Sequence, residues 1–149
     1  MQATAEDVAT STEIVTRRWP QRPAAVRGAR RLLRSTLLGW DRAQLVDDAE
    51  LVLSELLANA VVHARVAGAT VETRFAALGP AAVRVEVCDE DSRHVPRLRA
   101  AMPGDQRGRG LQIVDELTEQ RWGYEWRTDD AGAATGKVVW AHLGRLRPL

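Results

Sequence analysis

Two helical turns of this chain carry side chains that could handle a proton and a metal ion together. In Glu55-Leu56-Leu57-Ala58-Asn59-Ala60-Val61-Val62-His63 the polar groups Glu55, Asn59 and His63 recur at every fourth position. At about 100° per residue they fall along one stripe of a helix. Leu56, Leu57, Ala60 and Val61 fall largely on the side that would be buried. The amide oxygen of Asn59 is a hard ligand suited to Mg²⁺. A carboxylate one turn away, that of Glu55, could orient or deprotonate a nucleophile. Taken alone, such a pair is most often the solvated edge of an amphipathic helix.

Two further features have the same ambiguous character. Asp89 closes the apolar run Val83-Arg84-Val85-Glu86-Val87-Cys88. A carboxylate at a strand end opening into a long loop can accept a hydrogen bond from a ligand amino group, and it can equally form a turn. Gly108-Arg109-Gly110-Leu111 opens a helix. Glycines there let the backbone approach an oxyanion, and the first amides of a helix favour phosphate. A bare G-x-G is also simply a flexible helix entry.

The elements that must position these residues follow from periodicity. Residues 12–19 alternate with β-branched character and read as a strand ending at Pro20. Ala25, Val26, Ala29, Leu32, Leu33, Thr36 and Leu37 recur at helical spacing between Pro23 and Leu38, with Arg27, Arg30, Arg31 and Arg34 opposite and Gly39 as terminator. A second helix is expected from Asp41, as N-cap, to about Ala64, closed by Gly68. Runs 70–76 and 82–89 read as a hairpin turning at Gly79-Pro80. Residues 90–107 lack a period and are expected to form a lid or disordered loop. A third helix over 111–120 precedes a last strand pair, 122–127 and 137–143, around a turn at 132–136. Helices gathered beside a largely antiparallel sheet predict an α+β two-layer sandwich. Residues 1–10 are expected to be a frayed lead-in to a single domain spanning 11–149.

Composition bounds the function. A length of 149 residues, 45% of them hydrophobic, suits one domain with its own core. With 21 basic against 20 acidic residues, the chain lacks the basic excess of a non-specific nucleic-acid binder. The lone cysteine, Cys88, allows no internal disulfide and sits in an apolar run, where a buried inert thiol is expected. No apolar run approaches the roughly 20 residues needed to span a bilayer, and the N-terminus has no basic-then-apolar signal pattern. A cytoplasmic setting is the default expectation.

In order and in company, the three features become specific. Together with the strand Gly136-Lys137-Val138-Val139-Trp140, they resemble the Bergerat ATP-binding fold shared by gyrase, histidine kinases and MutL. Glu55-x-x-x-Asn59-Ala-Val-Val-His63 and the short chain are most similar to the anti-sigma-factor serine kinases. Gly108-Arg109-Gly110-Leu111…Val114 and Arg121-Trp122-Gly123 resemble the small actinobacterial regulatory ATP-binding proteins within that group. The resemblance covers residues 12–143.

It implies a mainly antiparallel mixed sheet and a set of roles. Asn59 would coordinate Mg²⁺ bridging the ATP phosphates, and Glu55 would be the general base for a serine hydroxyl. Asp89 would accept the hydrogen bond of the adenine amino group. Gly108, Arg109, Gly110 and Leu111 would wrap the phosphates, and His63 would pack or edge the nucleotide. The implied partners are a STAS-type anti-anti-sigma protein, a sigma factor and a second copy of the chain, with no direct nucleic acid and no membrane. The family's Asp-x-Gly-x-Gly stands here as Asp89-Glu90-Asp91-Ser92-Arg93, and its adenine-supporting threonine aligns with Val138. Those departures leave a second expectation, a binding module of the same fold without phosphotransfer.

Overall fold

Strands that alternate outward polar with inward apolar side chains place one face of a single sheet against the helices. The structure, a computed structural model, describes residues 13–62, 69–96 and 110–145. The strands are β1 (Ile14–Pro20), β2 (Thr70–Leu78), β3 (Ala81–Asp89), β4 (Trp122–Thr128) and β5 (Ala134–Arg145). Their spatial order is β1-β2-β3-β5-β4, and every described pairing is antiparallel. The helices are α1 (Ala24–Gly39), α2 (Val46–Val62) and α3 (Gly110–Leu117), with a 3₁₀ turn at Ala43–Leu45. The expected two-layer α+β sandwich is what forms, with a wholly antiparallel sheet among the described strands rather than a mixed one.

In α1, Ala25, Ala29, Leu33 and Leu37 are buried at four-residue spacing. They meet Val52, Leu53, Leu56 and Leu57 of α2 in one core with Phe75, Val83, Val85, Val139 and Leu143 from the sheet. Gly28 lets α1 approach β1 closely: a Cβ there would lie 2.7 Å from the Trp19 ring. That ring is held in turn by its Nε1–H donating to Thr73 Oγ1 at 2.9 Å. Arg42, before α2, is buried. Its guanidinium donates to the carbonyls of Ala82 and Gly79, fastening the β2–β3 hairpin to the loop before α2.

Three boundaries differ from expectation. Asp41 does not cap α2; its φ of 59° places it in a left-handed turn, and the 3₁₀ turn intervenes before Val46. Asp47 and Asp48 occupy the first turn of α2, where the helix dipole favours them. α3 stops at Leu117 instead of Gln120, because Glu119 and Gln120 both adopt positive φ. There the Arg121 guanidinium donates to the Thr118 carbonyl at 3.0 Å and the Gly144 carbonyl at 2.9 Å. The last hairpin turns earlier than predicted, with Asp129 Oδ1 accepting from the amides of Ala131 and Ala133 at 2.9 Å. Gly136 therefore lies within β5. The predicted end of α2 beyond Val62, with Ala64 and Gly68, lies outside the described residues, as do residues 97–107 of the predicted lid.

Of the five tryptophans, Trp19, Trp40 and Trp122 pack against the core. Trp140 lies on the outer face, stacked by the Arg84 guanidinium at 4.8 Å, and Trp126 is exposed in edge-to-face contact with Tyr124. None of the described helices is long and apolar enough to cross a membrane.

Candidate functional site

The end of β3 brings two buried charged residues together on the inner face of the sheet. Val83, Val85 and Val87 face the helices, so strand alternation turns Asp89 to the same side. Its register partner on β5 is Lys137, which precedes the core residues Val139, Ala141 and Leu143 on that face. Lys137 is 0% exposed and Asp89 2%. The Lys137 ammonium donates to Asp89 Oδ1 at 3.2 Å and to Asp91 Oδ2 at 3.1 Å. It also lies 3.0 Å from Asp89 Oδ2, but out of line, which leaves that buried oxygen without an aligned donor. An ammonium this deep is tolerable only because two carboxylates compensate it.

The backbone is shaped for this approach. A Cβ on Gly136 would stand 2.1 Å from the Asp89 carbonyl oxygen, so no larger residue fits without moving β5 off β3. Beyond the strand the chain folds around Asp91. The Asp91 amide donates to Asp89 Oδ1 at 2.9 Å. Asp91 Oδ1 in turn accepts from the amides of Arg93 and His94 at 3.0 and 3.3 Å. His94 Nδ1 stands 2.9 Å from Asp91 Oδ2. Where the glycine pattern is broken, an aspartate thus organises the turn through its own hydrogen bonds. Burial opposes the Asp91 charge, but the Arg93 amide, Lys137 and His94 outweigh it and hold the carboxyl down to about 2. For Asp89, burial prevails over Lys137 and raises the carboxyl above its ordinary range.

Val138, which the resemblance aligns with the family's adenine-supporting threonine, is the register partner of Cys88 and Glu125. The β5 residue that meets Asp89 is Lys137.

α2 packs on β3 and β5, the two strands that carry this pair. Glu55 and Asn59 are both half-buried on it. Among the described residues neither makes a hydrogen bond or ion pair, in contrast to Glu50 of the same helix. Glu50 Oε1 accepts from Arg34 Nε at 2.8 Å, and Oε2 from Arg30 Nη2 at 3.3 Å. Burial alone raises the Glu55 carboxyl above its ordinary value. At the start of α3, Gly110 begins the helix and Leu111 is buried in the core, which fixes the direction in which the first turn points. His63, Gly108 and Arg109 lie outside the described residues. No cluster of three or more His, Cys, Asp or Glu side chains able to hold a metal occurs among the described residues.

A two-layer sandwich with an acidic residue at the end of β3 and a polar stripe on α2 has a counterpart among known families. The model of the histidine kinase-like ATPase domain matches residues 19–141. The chain belongs to the histidine kinase-like ATPase family. Membership makes this an ATP-binding type of domain, and the match spans all the elements from the end of β1 into β5. No match to a curated protein was found.

An acceptor for an amino group is present, because Asp89 Oδ2 is buried and lacks an aligned donor. Asn59 carries an amide oxygen, a hard donor of the kind that could hold Mg²⁺. Sequence reasoning missed Lys137 as a site residue. The available signal was strand alternation, which places a lysine on the core face in step with Val139, Ala141 and Leu143. A second feature left unassigned is a groove of about 450 Å³ lined by Pro23, Val26, Arg27, Arg30, Arg31, Arg34 and Glu50.

Proposed function

We propose that the chain is a regulator of the anti-sigma-factor type that binds ATP with Mg²⁺ and phosphorylates a serine on a STAS-type anti-anti-sigma partner. The observation that carries this reading is the combination of Glu55 and Asn59, one turn apart on α2 and without a hydrogen bond or ion pair among the described residues, with the buried carboxylate of Asp89 at the end of β3. When bound, ATP supplies the phosphoryl group and Mg²⁺ offsets its charge. Asn59 would hold the ion through its amide oxygen. Asp89 would fix the base, and the turn at Gly108, Arg109 and Gly110 with Leu111 would approach the phosphates. Glu55 would take the proton of the serine hydroxyl. Its desolvation strengthens it as a base and so supports that role.

A protein partner is supported by the groove on α1. Glu50 engages Arg30 and Arg34 there, while Arg27 and Arg31 add charge that is not offset by Glu50. Such a surface suits an acidic segment of a STAS protein or a sigma factor. The outer edge of β1, unpaired among the described strands, would serve a homodimer.

A second reading is favoured by one observation. Lys137 and Asp91 already engage Asp89, which would make the chain a sequestering module without phosphotransfer. The discriminating assay incubates the chain with labelled ATP and a STAS partner. The kinase reading expects label on the partner, lost in Glu55→Ala while ATP binding persists. Partner capture without any label would favour the module.

A further inference from the structure

We propose that Gln21 is a positioning residue for the proposed metal ligand Asn59, fixing the direction in which the last turn of α2 presents it. This rests on the nucleotide and Mg²⁺ reading above and extends it to a side chain outside the site. Asn59 makes no hydrogen bond or ion pair among the described residues, so its aim is set by the backbone that carries it. α2 is held largely by apolar packing, with Val52, Leu53, Leu56, Leu57 and Ala60 in the core. Burial of that kind is non-directional, whereas a hydrogen bond depends on angle. Gln21 Nε2 donates to the carbonyl of Ala60, the residue after Asn59, at 2.8 Å. Among the described residues Gln21 is the one side chain from another element that bonds to the backbone of α2.

The chemistry and the anchoring of Gln21 suit this role. Ala60 lies in the last turn of α2, where carbonyls need a donor from outside the helix. A glutamine supplies an uncharged N–H on a long stem. Gln21 is itself fixed, because it follows Pro20 at the end of β1 and its own amide donates to the Ala69 carbonyl at 3.1 Å. The Arg22 amide then donates to the Pro20 carbonyl at 2.8 Å, which turns the chain toward α1. One residue thus holds the carbonyls of Ala60 and Ala69, on either side of the link from α2 to β2, and refers the end of α2 to the sheet.

The test is calorimetric titration of the full chain with ATP, once with Mg²⁺ and once with EDTA, the ratio of the two affinities being the gain from the metal. The bond can add to positioning no more than its own net strength, so Gln21→Met should reduce that gain about three- to tenfold. Affinity for metal-free ATP should stay as in the wild type. Asn59→Ala should lose the gain, and adding Gln21→Met to it should change nothing further. Circular dichroism melting checks folding. Gln21→Asn, a methylene too short to reach the carbonyl, replaces Gln21→Met if that variant does not fold. An unchanged gain, or affinities lowered equally with and without Mg²⁺, would overturn the role of Gln21 and leave the nucleotide reading standing. Wild-type binding of ATP that gains nothing from Mg²⁺ would overturn the metal role together with this one. Absence of any ATP binding at millimolar concentration would overturn the nucleotide reading as well.

Discussion

Glu55 and Cys88 show how burial alone sets the chemistry of a single side chain. The raised carboxyl of Glu55 has one cause, loss of water, with no compensating partner. A group raised in the folded state favours folding below its unfolded value and disfavours it as pH rises through the folded one. Glu55→Gln is therefore expected to melt slightly higher than wild type at neutral pH, with the gain disappearing as the solution is acidified past the raised value. Phosphotransfer should follow the opposite sense, with an acid limb above the ordinary glutamate value of 4.5. A pH profile of label transfer reads that limb, and a limb at or below that value would contradict the role of Glu55. For Cys88, burial first and then the charges of Glu86 and Glu72 push the thiol up to about 11. Alkylation by iodoacetamide at neutral pH should accordingly be negligible in the native chain and complete once it is denatured. Rapid native modification would show that the outer face of β3 opens.

The pairing of β3 with β5 is the element on which the site depends, and Gly136 is where it is most constrained. Gly136→Ala brings a methyl group against the Asp89 carbonyl, a clash expected to cost about 1–3 kcal/mol of stability. Nucleotide binding should weaken beyond that, because the displaced backbone carries Asp89 itself. Melting and titration of the variant measure both effects. The turn around Asp91 adds a pH dependence of its own. Its carboxyl is depressed from an ordinary 3.8 to about 2, so its contribution is complete above the ordinary value and lost as pH falls toward the depressed one. Acid unfolding followed by circular dichroism should be shallower in Asp91→Asn across that window.

The limits of sequence legibility also belong to elements. α1 could be placed within a residue or two because its apolar positions recur at strict spacing between Pro23 and Gly39. The β2–β3 hairpin was visible from Gly79-Pro80. The start of α2 was not, since an aspartate before an apolar run reads as a cap, whereas Asp41 sits in a left-handed turn. Lys137 escaped notice because a lysine in a strand reads as solvated. Only the register with Asp89, a contact 48 positions apart in sequence, reveals it as buried. Gly136 was read both as the end of the last turn and as the start of the strand after it, while its real constraint is the neighbouring strand.

At the scale of the whole molecule, one core joins α1, α2 and α3 to the inner face of the sheet, and Phe75 is the largest fully buried side chain among the described residues. Phe75→Ala should cost about 3–5 kcal/mol, observable as a large drop in denaturant midpoint. A loss below about 1 kcal/mol would mean that the core closes over the cavity. The order of features along the chain made the fold legible from sequence, because Glu55, Asn59, Asp89 and Gly110 acquire meaning only together. Strand order was not legible, since β5 inserts between β3 and β4 through long-range pairing that no local pattern encodes.

Everything proposed for this fold depends on nucleotide occupying the region between α2 and the β3–β5 pair. Titrating Mg-ATP into the purified chain, with thermal stability followed in parallel, tests that claim most directly. The account predicts saturable binding of one ATP per chain and a melting temperature that rises with ligand concentration, both weakened in Asp89→Asn. No heat and no stabilisation at millimolar Mg-ATP would contradict it.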